Sequence, residues 1–242
     1  PGLRALVEVA SELGDVVVVA PDSPQSGMGH AITIMHPIRL EQVDEFPGIE
    51  AYQCSGTPVD CVKLAMDKIL PRKPHLCVSG INHGSNVSVN VLYSGTMSAA
   101  TEAALVHIPA IGFSLCDYRH AADMKPAQHF VRILMQHVLK SKLPEGSLLN
   151  VNIPALPLDE LKGYRVCRQA DANWEEEFDE REDPFGRKYF WLTGRFKSRE
   201  DAEDTDVHAL DQGYVSVVPV KYDMTAYETI DFIHDAWNTN PD

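Results

Sequence analysis

Short apolar runs alternate with amphipathic segments along the first 154 residues of the chain. Leu3 to Leu13 carries apolar residues at helical spacing, and the valine run between Asp15 and Ala20 is typical of a strand buried on both faces. The alternation also predicts an extended segment at 32–43, strands at 49–54, 75–79, 108–115 and 148–153, and helices at 57–69, 94–106 and 130–138. This order predicts an α/β fold: a three-layer α/β/α sandwich with a mainly parallel, Rossmann-like sheet.

The pattern changes after Pro154, so we predict residues 1–154 as the α/β core and 155–242 as a C-terminal part. Acidic and aromatic residues interleave over 171–193, which predicts a projecting β-hairpin. A returning strand at 214–220 and a terminal helix follow. Exposed aromatics on a hairpin need a cover, so we expect a homodimer or homotetramer that exchanges this arm. The alternative is a solvated acidic loop with a local aromatic cluster.

The chain opens on Pro1-Gly2 and leads directly into a helical pattern. A parallel α/β domain normally begins with a strand. We therefore expect the first core strand to lie upstream of Pro1.

Composition narrows the function classes. The formal net charge of −14 argues against a nucleic acid polymer as partner, because polyanions are held through clustered Lys and Arg. A small anionic substrate remains compatible with this charge where backbone dipoles or a metal ion supply local positive potential. The five cysteines form no CxxC pair, and the sequence contains neither a membrane span nor a signal peptide. These features predict a cytoplasmic protein with reduced thiols.

The segment from Val78 to Thr96 is rich in Gly, Ser and Asn and follows a strand-like run. Asn82 and Asn86 offer amide oxygens to a cation or N–H groups to a phosphate, whereas the alternative is that they only form turns. We expect His83, between them, to be exposed and non-catalytic.

Ser94, Gly95 and Thr96 open the helix that follows. The N–H groups at a helix start carry partial positive charge and suit a phosphate. The alternative is that Ser94 is simply an N-cap on a helix of small residues, and both interpretations are compatible. Capping explains Ser94 but not Gly95.

Three familiar motifs are excluded. Gly27-x-Gly29 lacks the third glycine and the following helix of a dinucleotide fingerprint, and the sequence has no P-loop motif. The segment 112–116 lacks the final glycine of a nucleophile elbow, so Ser114 is expected at the end of a strand.

Taken in order, several segments resemble the stationary-phase survival protein E (SurE) family of metal-dependent nucleotidases. The matching segments are Val18-Val19-Ala20-Pro21-Asp22, Gln25-Ser26-Gly27-Met28-Gly29-His30-Ala31-Ile32-Thr33, Ser55-Gly56-Thr57-Pro58-Val59-Asp60-Cys61-Val62-Lys63, Ser79-Gly80-Ile81-Asn82-His83-Gly84-Ser85-Asn86, Tyr93-Ser94-Gly95-Thr96, Tyr214-Val215-Ser216-Val217 and Tyr222-Asp223-Met224-Thr225. The resemblance is close over the first half of the chain and thin between Pro154 and Asp206.

The resemblance implies a phosphomonoesterase that acts on nucleoside 5′- and 3′-monophosphates with one divalent cation, Mg²⁺ or Mn²⁺. By position, Ser26 and Asn82 match the family's neutral metal ligands. The residues that match its phosphate site are Asn86, Ser94, Gly95 and Thr96.

One feature of the family is missing from this sequence. The family's site also uses an aspartate pair in an Asn-Asp-Asp-Gly motif, which falls upstream of Pro1. Because Mg²⁺ normally requires carboxylate ligands, we expect the chain as given to bind metal poorly and to be inactive. Two alternatives stay open: a phosphatase for another small phosphoester, and a non-catalytic nucleotide-binding or oligomeric module.

Overall fold

The strands of residues 1–237, which the computed structural model describes, form three sheets. The strands are β1 (Val17–Pro21), β2 (Leu40–Val43), β3 (Glu50–Cys54), β4 (Cys77–His83), β5 (Ala110–Leu115), β6 (Ser147–Ile153), β7 (Tyr164–Val166), β8 (Ala172–Glu182), β9 (Lys188–Ser198) and β10 (Val215–Lys221). The helices are α1 (Gly2–Ser11), α2 (Pro58–Leu64), α3 (Gly95–Leu105), α4 (Lys125–Ser141), α5 (Asp206–Asp211) and α6 (Tyr227–Trp237), with a π-helical turn at Ala65–Ile69 and a 3₁₀ helix at Ser88–Tyr93.

The largest sheet has the strand order β4-β5-β6-β10-β7. Its strands β4, β5 and β6 are parallel, β10 runs antiparallel to β6, and β7 is parallel to β10. The second sheet has the order β1-β3-β2, with β1 parallel to β3. These pairings confirm the predicted α/β fold with a mainly parallel sheet. The predicted division near Pro154 stays a prediction.

Helices cover both faces of the largest sheet, as β5 shows. Ile111 and Phe113 pack into an apolar cluster with α1 and α4, whereas Ala110 packs into a second cluster with α3. Neighbouring strand residues point to opposite faces, so α1 and α4 lie on one face and α3 on the other. Four alanines of α3 are buried: Ala99, Ala100, Ala103 and Ala104.

The start of α2 follows from its sequence. Thr57 accepts a hydrogen bond from the N–H of Asp60, and the Asp60 carboxylate accepts one from the N–H of Thr57. This reciprocal capping box, followed by Pro58 at the first helical position, stabilises the start of the helix. The predicted helix to Ile69 becomes a π-helical turn from Ala65 onward.

The projecting hairpin is longer than predicted. Strands β8 and β9 pair from Ala172–Ser198 to Glu182–Lys188, so the predicted end at residue 193 falls inside β9. Strand β4 extends to His83 rather than residue 79, and within the predicted extended segment 32–43 only β2 is a strand. The terminal helix is confirmed as α6 up to Trp237, and residues 238–242 lie outside the described residues. None of the helices formed by residues 1–237 has the length and apolar character needed to cross a bilayer.

Candidate functional site

The N-terminus of α3 is a capped helix end. Ser94 caps it, because the Ser94 hydroxyl oxygen accepts a hydrogen bond from the N–H of Met97 (3.1 Å). The first N–H groups of an α-helix, here those of Gly95 and Thr96, have no acceptor within the helix and carry partial positive charge. Both residues are partly exposed. The predicted phosphate residues Ser94, Gly95 and Thr96 therefore lie together at one helix end.

Gly95 is closely packed against two neighbouring segments. A Cβ atom built there meets Pro58 Cγ at 3.0 Å and the carbonyl oxygen of Gln25 at 3.4 Å. The start of α2 and the loop after β1 thus press against the first turn of α3. This close approach explains why a glycine follows the capping serine.

The loop that carries Ser26 is tied to the same helix end. The N–H of Gly29 donates to the carbonyl oxygen of Tyr93 (3.1 Å), one residue before the cap. Ser26 is exposed on this loop. Gly29 has a φ of +55°, and a Cβ there would approach the Leu92 carbonyl oxygen to 3.0 Å, so a side chain at this position would be strained.

A buried carboxylate anchors the end of this loop. Glu102 of α3 has only 8% of its side chain exposed, and its carboxylate contacts one histidine and one lysine. His30 Nε2 lies 3.0 Å from Glu102 Oε2, and Lys63 Nζ of α2 donates to Glu102 Oε1 at 2.5 Å. This cluster joins the loop, α2 and α3.

Asn82 lies near the end of β4, where its Nδ2 donates to the carbonyl oxygen of Gly84 (2.9 Å). This bond occupies the nitrogen end of the carboxamide and leaves the oxygen as the end available to a ligand. The prediction that His83 is exposed is wrong. Its two ring nitrogens are buried without a hydrogen-bond partner among residues 1–237, and its ring stacks on that of His120 at 6.4 Å. The loop after β5 covers this region, because a Cβ on Gly84 would meet the Tyr118 ring at 2.3 Å.

Asn86 is held inside a buried amide network. Its backbone N–H donates to Asn152 Oδ1 (2.7 Å), and its carbonyl oxygen accepts from Asn150 Nδ2 (2.8 Å). Its side-chain Nδ2 donates to Ser114 Oγ (2.7 Å) at the predicted strand end. Asn86 therefore clamps the site segment onto β5 and β6, and its part in phosphate binding stays a prediction.

The segment after Asn86 is fixed by a second buried group. Asp206 accepts from the N–H groups of Ser88 (2.8 Å) and Ala170 (3.0 Å). The Ser88 hydroxyl donates to the carbonyl oxygen of Ala170 or of Ala172 (2.7 and 2.8 Å). Burial raises the pKa of Asp206 above its usual range, although these hydrogen bonds oppose the shift. The base of the hairpin is thus tied to the 3₁₀ helix that leads to Ser94.

The predicted metal ligands do not amount to a complete site. Ser26 and Asn82 offer neutral oxygens, whereas Mg²⁺ and Mn²⁺ favour carboxylates. Within residues 1–237 there is no group of three His, Cys, Asp or Glu side chains that could hold a metal ion. The described residues alone therefore do not fit the cation.

Sequence reasoning located the helix end and the glycine-rich loops but missed the groups that hold them together. Glu102, Asp206 and the asparagine pair of β6 were not singled out. Asn150 and Asn152 did leave a signal, since two amides alternate inside an otherwise apolar strand and a buried amide needs partners.

Comparison with known proteins identifies the family of this chain. The family model described as "Survival protein SurE" matches residues 1–176. This chain belongs to the SurE family. It is 60% identical to a protein named 5′-nucleotidase SurE from Christiangramia forsetii, over 99% of this chain and 93% of that protein. It is also 60% identical to the protein of the same name from Cytophaga hutchinsonii, over 98% and 92% of the two chains.

A solved SurE structure shares the fold. The crystal structure of the SurE protein from Aquifex aeolicus superposes with a TM-score of 0.83 at 37% identity, and covers 98% of this chain and 94% of that one. The resemblance noted in the sequence is therefore confirmed along nearly the whole chain. It includes the region between Pro154 and Asp206, where the sequence motifs are thin.

Proposed function

We propose that this SurE-family chain is a phosphomonoesterase that hydrolyses nucleoside 5′-monophosphates, and also 3′-monophosphates, to nucleoside and phosphate. The observation that carries the proposal is the N-terminus of α3, where Ser94, Gly95 and Thr96 present a cap and free N–H groups beneath the Ser26 loop. The names of its relatives, 5′-nucleotidase SurE, support the same activity.

The chemistry requires water to attack phosphorus while the ester oxygen leaves. Negative charge is spread over the phosphoryl oxygens in the transition state, so fixed N–H donors at a helix end stabilise it. Gly95 lets the phosphate approach the backbone closely, and the hydroxyl of Thr96 adds a donor. The buried Glu102 cluster and the asparagine network hold these donors in place.

We also propose that activity requires one divalent cation, Mg²⁺ or Mn²⁺, with Ser26 and Asn82 as neutral ligands. Residues 1–237 contain no acidic cluster that could join Ser26 and Asn82 as metal ligands. Carboxylates from outside residues 1–237 therefore have to complete the ligand set. The 242-residue chain by itself should then bind the cation weakly and be inactive.

The test is phosphate release from AMP and GMP with Mg²⁺ or Mn²⁺, with and without EDTA. It should be run on the 242-residue chain and on a version extended at its N-terminus by the family's Asn-Asp-Asp-Gly segment. We expect activity only in the extended version and none in EDTA. Hydrolysis of other small phosphoesters but not of AMP or GMP would replace the nucleotidase proposal, and no hydrolysis by either version would overturn enzymatic function.

For assembly, we propose a homodimer or homotetramer that uses the β8–β9 hairpin. Large apolar side chains stand exposed on it: Phe178 (65%), Phe190 (55%), Trp191 (58%) and Leu192 (61%). Such a surface favours a covering partner. Light scattering should give a multimer for the natural chain and a smaller species for Trp191→Asp, whereas an unchanged mass would exclude the hairpin from the interface.

For location, we propose the cytoplasm. All five cysteines, each within the described residues, are free thiols, which is typical of a reducing compartment. Fractionation of the native host cells should recover the protein with cytoplasmic markers.

A further inference from the structure

The 3₁₀ helix Ser88–Tyr93 contacts two parts of the candidate phosphate site. Its last residue, Tyr93, directly precedes the capping residue Ser94. The Tyr93 carbonyl oxygen also accepts a hydrogen bond from the N–H of Gly29 in the Ser26 loop (3.1 Å). A shift of this short helix would therefore move both the start of α3 and the loop that packs against it.

This 3₁₀ helix has little internal support. Its hydrogen bonds have poorer geometry than those of an α-helix, and runs longer than three or four residues are uncommon. Among its six residues only Ser88 is buried, whereas Leu92 and Tyr93 are 55% and 58% exposed. Segments with few buried apolar contacts open easily. Contacts with other parts of the chain are therefore needed to hold this helix in place.

The base of the β8–β9 hairpin supplies such contacts. Trp174 Nε1 donates a hydrogen bond to Asn90 Oδ1 at 2.8 Å, although the two residues lie 84 positions apart. The N–H of Ala172 donates to Ser88 Oγ at 3.1 Å. Both donors belong to the first three residues of β8. The hairpin base thus holds the 3₁₀ helix at its first residue and again at Asn90, four positions before Ser94.

Trp174 is itself held in position by the second strand of the hairpin. Its ring packs edge-on against the Phe196 ring of β9, with centroids 5.7 Å apart. The indole N–H can only donate a hydrogen bond, so its bond to the oxygen of Asn90 also fixes the orientation of that carboxamide. The hydrogen bond between Trp174 and Asn90 therefore connects a packed aromatic pair of the hairpin to the segment that leads to α3.

We propose that the hairpin base positions the end of α3 that is proposed to bind phosphate, with Trp174 and Asn90 as positioning residues that act through the 3₁₀ helix. The inference rests on the proposed function, because it concerns the same phosphate site. It gives the hairpin a role in the reaction that is separate from its proposed role in assembly.

The first test measures amide exchange over residues 88–97 of the 242-residue chain. Trp174→Phe removes the donor and keeps a ring beside Phe196, and Asn90→Leu removes the acceptor at similar volume. Each should accelerate exchange roughly fivefold, which corresponds to one hydrogen bond of ordinary strength. The double variant should exchange no faster than either single variant, because both changes remove the same bond. Asn90→Asp, which keeps an acceptor oxygen, should exchange at the native rate.

The second test uses AMP hydrolysis by the version extended with the Asn-Asp-Asp-Gly segment. In Trp174→Phe and Asn90→Leu, the KM for AMP and the inhibition constant of inorganic phosphate should rise together, roughly fivefold, because displaced donors bind phosphate less tightly. A simple loss of folded protein would lower the apparent kcat and leave both constants unchanged. The matched control is Trp237→Phe on α6, a tryptophan that is 76% exposed, and it should keep native exchange and native constants.

The outcomes separate this inference from the proposed function. Native exchange over residues 88–97 in both Trp174→Phe and Asn90→Leu would overturn the inference. Faster exchange with an unchanged KM and an unchanged inhibition constant would also overturn it, and would leave the nucleotidase proposal intact. If the extended version hydrolyses no AMP, the proposed function fails, and the exchange pattern still decides whether the hairpin base holds the start of α3. Asn90→Leu carries the test if Trp174→Phe does not fold.

Discussion

The carboxylate of Asp206 accepts a hydrogen bond from the backbone N–H of Ser88, which lies 118 positions earlier in the chain, at 2.8 Å. Asp206 is fully buried, and Ser88 adopts a φ of +51° with no exposed surface. A non-glycine residue keeps a left-handed conformation only where its surroundings impose it. The Asp206 carboxylate is one of the groups that impose it.

Replacing Asp206 tests this link. Asp206→Ala leaves the N–H groups of Ser88 and Ala170 buried without their acceptor, so the free energy of unfolding should fall by about 3 kcal/mol. Urea denaturation measures the change. Asp211→Ala, an exposed position of the same helix, is the control and should change stability by about 0.5 kcal/mol or less. Equal losses of unfolding free energy in the two variants would show that the Asp206 hydrogen bonds do not stabilise the fold.

The anchor of the Ser26 loop gives a second prediction. Glu102→Gln removes the charge that holds Lys63 and weakens the contact to His30. Amide exchange over residues 25–33 should accelerate, and kcat/KM of the active protein should fall roughly ten- to hundredfold, because small misplacements of binding groups cost about that much.

The control for Glu102 is Glu145→Gln. Glu145 also contacts a histidine, His107, at 2.9 Å, but 76% of its side chain is exposed. This variant should leave both loop exchange and activity unchanged. A loop that exchanges at the native rate in Glu102→Gln would contradict the anchoring role.

Gly95 provides a third prediction. A methyl group in Gly95→Ala meets Pro58 and the Gln25 carbonyl at 3.0 and 3.4 Å, so the loop and α2 have to move away from the helix end. We expect phosphate and AMP affinity to fall at least roughly tenfold while the melting temperature changes little. Gly14→Ala, where a Cβ meets nothing within 4 Å, is the control. Native affinity in Gly95→Ala would show that the close packing does not matter for binding.

The fourth prediction concerns acid stability. Arg119 donates two hydrogen bonds to the Asp117 carboxylate, from Nε at 3.0 Å and from Nη2 at 2.7 Å. These hydrogen bonds lower the pKa of Asp117 from 3.8 to about 2. Since the pKa is lower in the folded state, this pair stabilises the fold fully above pH 3.8. The contribution is lost as the pH falls through about 2.

The measurement is the stability difference between the native chain and Asp117→Asn across that pH range. The difference should shrink as the pH falls, and Arg119→Gln should abolish most of the pH dependence. A difference that stays constant down to pH 2 would contradict this assignment.

Local signals explain which parts of the fold were predictable. The valine run, the apolar spacing of α1 and the Thr57-Pro58-x-Asp60 box each fall within one short window, and the structure has an element at each. Strand β7 and helix α5, of three and six residues, are too short to show a period. The family motifs supplied the candidate ligands. The structural role of Asp206 could not be predicted from the sequence, because only the folded chain brings its hydrogen-bond partners together.

His83 marks the limit of composition-based reasoning. Its polar neighbours in the sequence predicted an exposed ring, yet the loop after β5 folds over it. That loop begins more than thirty positions later in the chain, so no local pattern carries the information.

The alanine-lined face of α3 sets the height of the helix above the sheet. A helix rises about 1.5 Å per residue, so Ala103 lies about 12 Å along the axis from Gly95. Ala103 is fully buried. A larger side chain there would move the C-terminal end of α3 away from the sheet and change the tilt of the whole helix. The end of α3 that is proposed to bind phosphate would tilt although nothing near it had changed. We therefore expect the affinity of the proposed phosphate site to depend on the volume of side chains at the far end of α3, although they do not belong to that site.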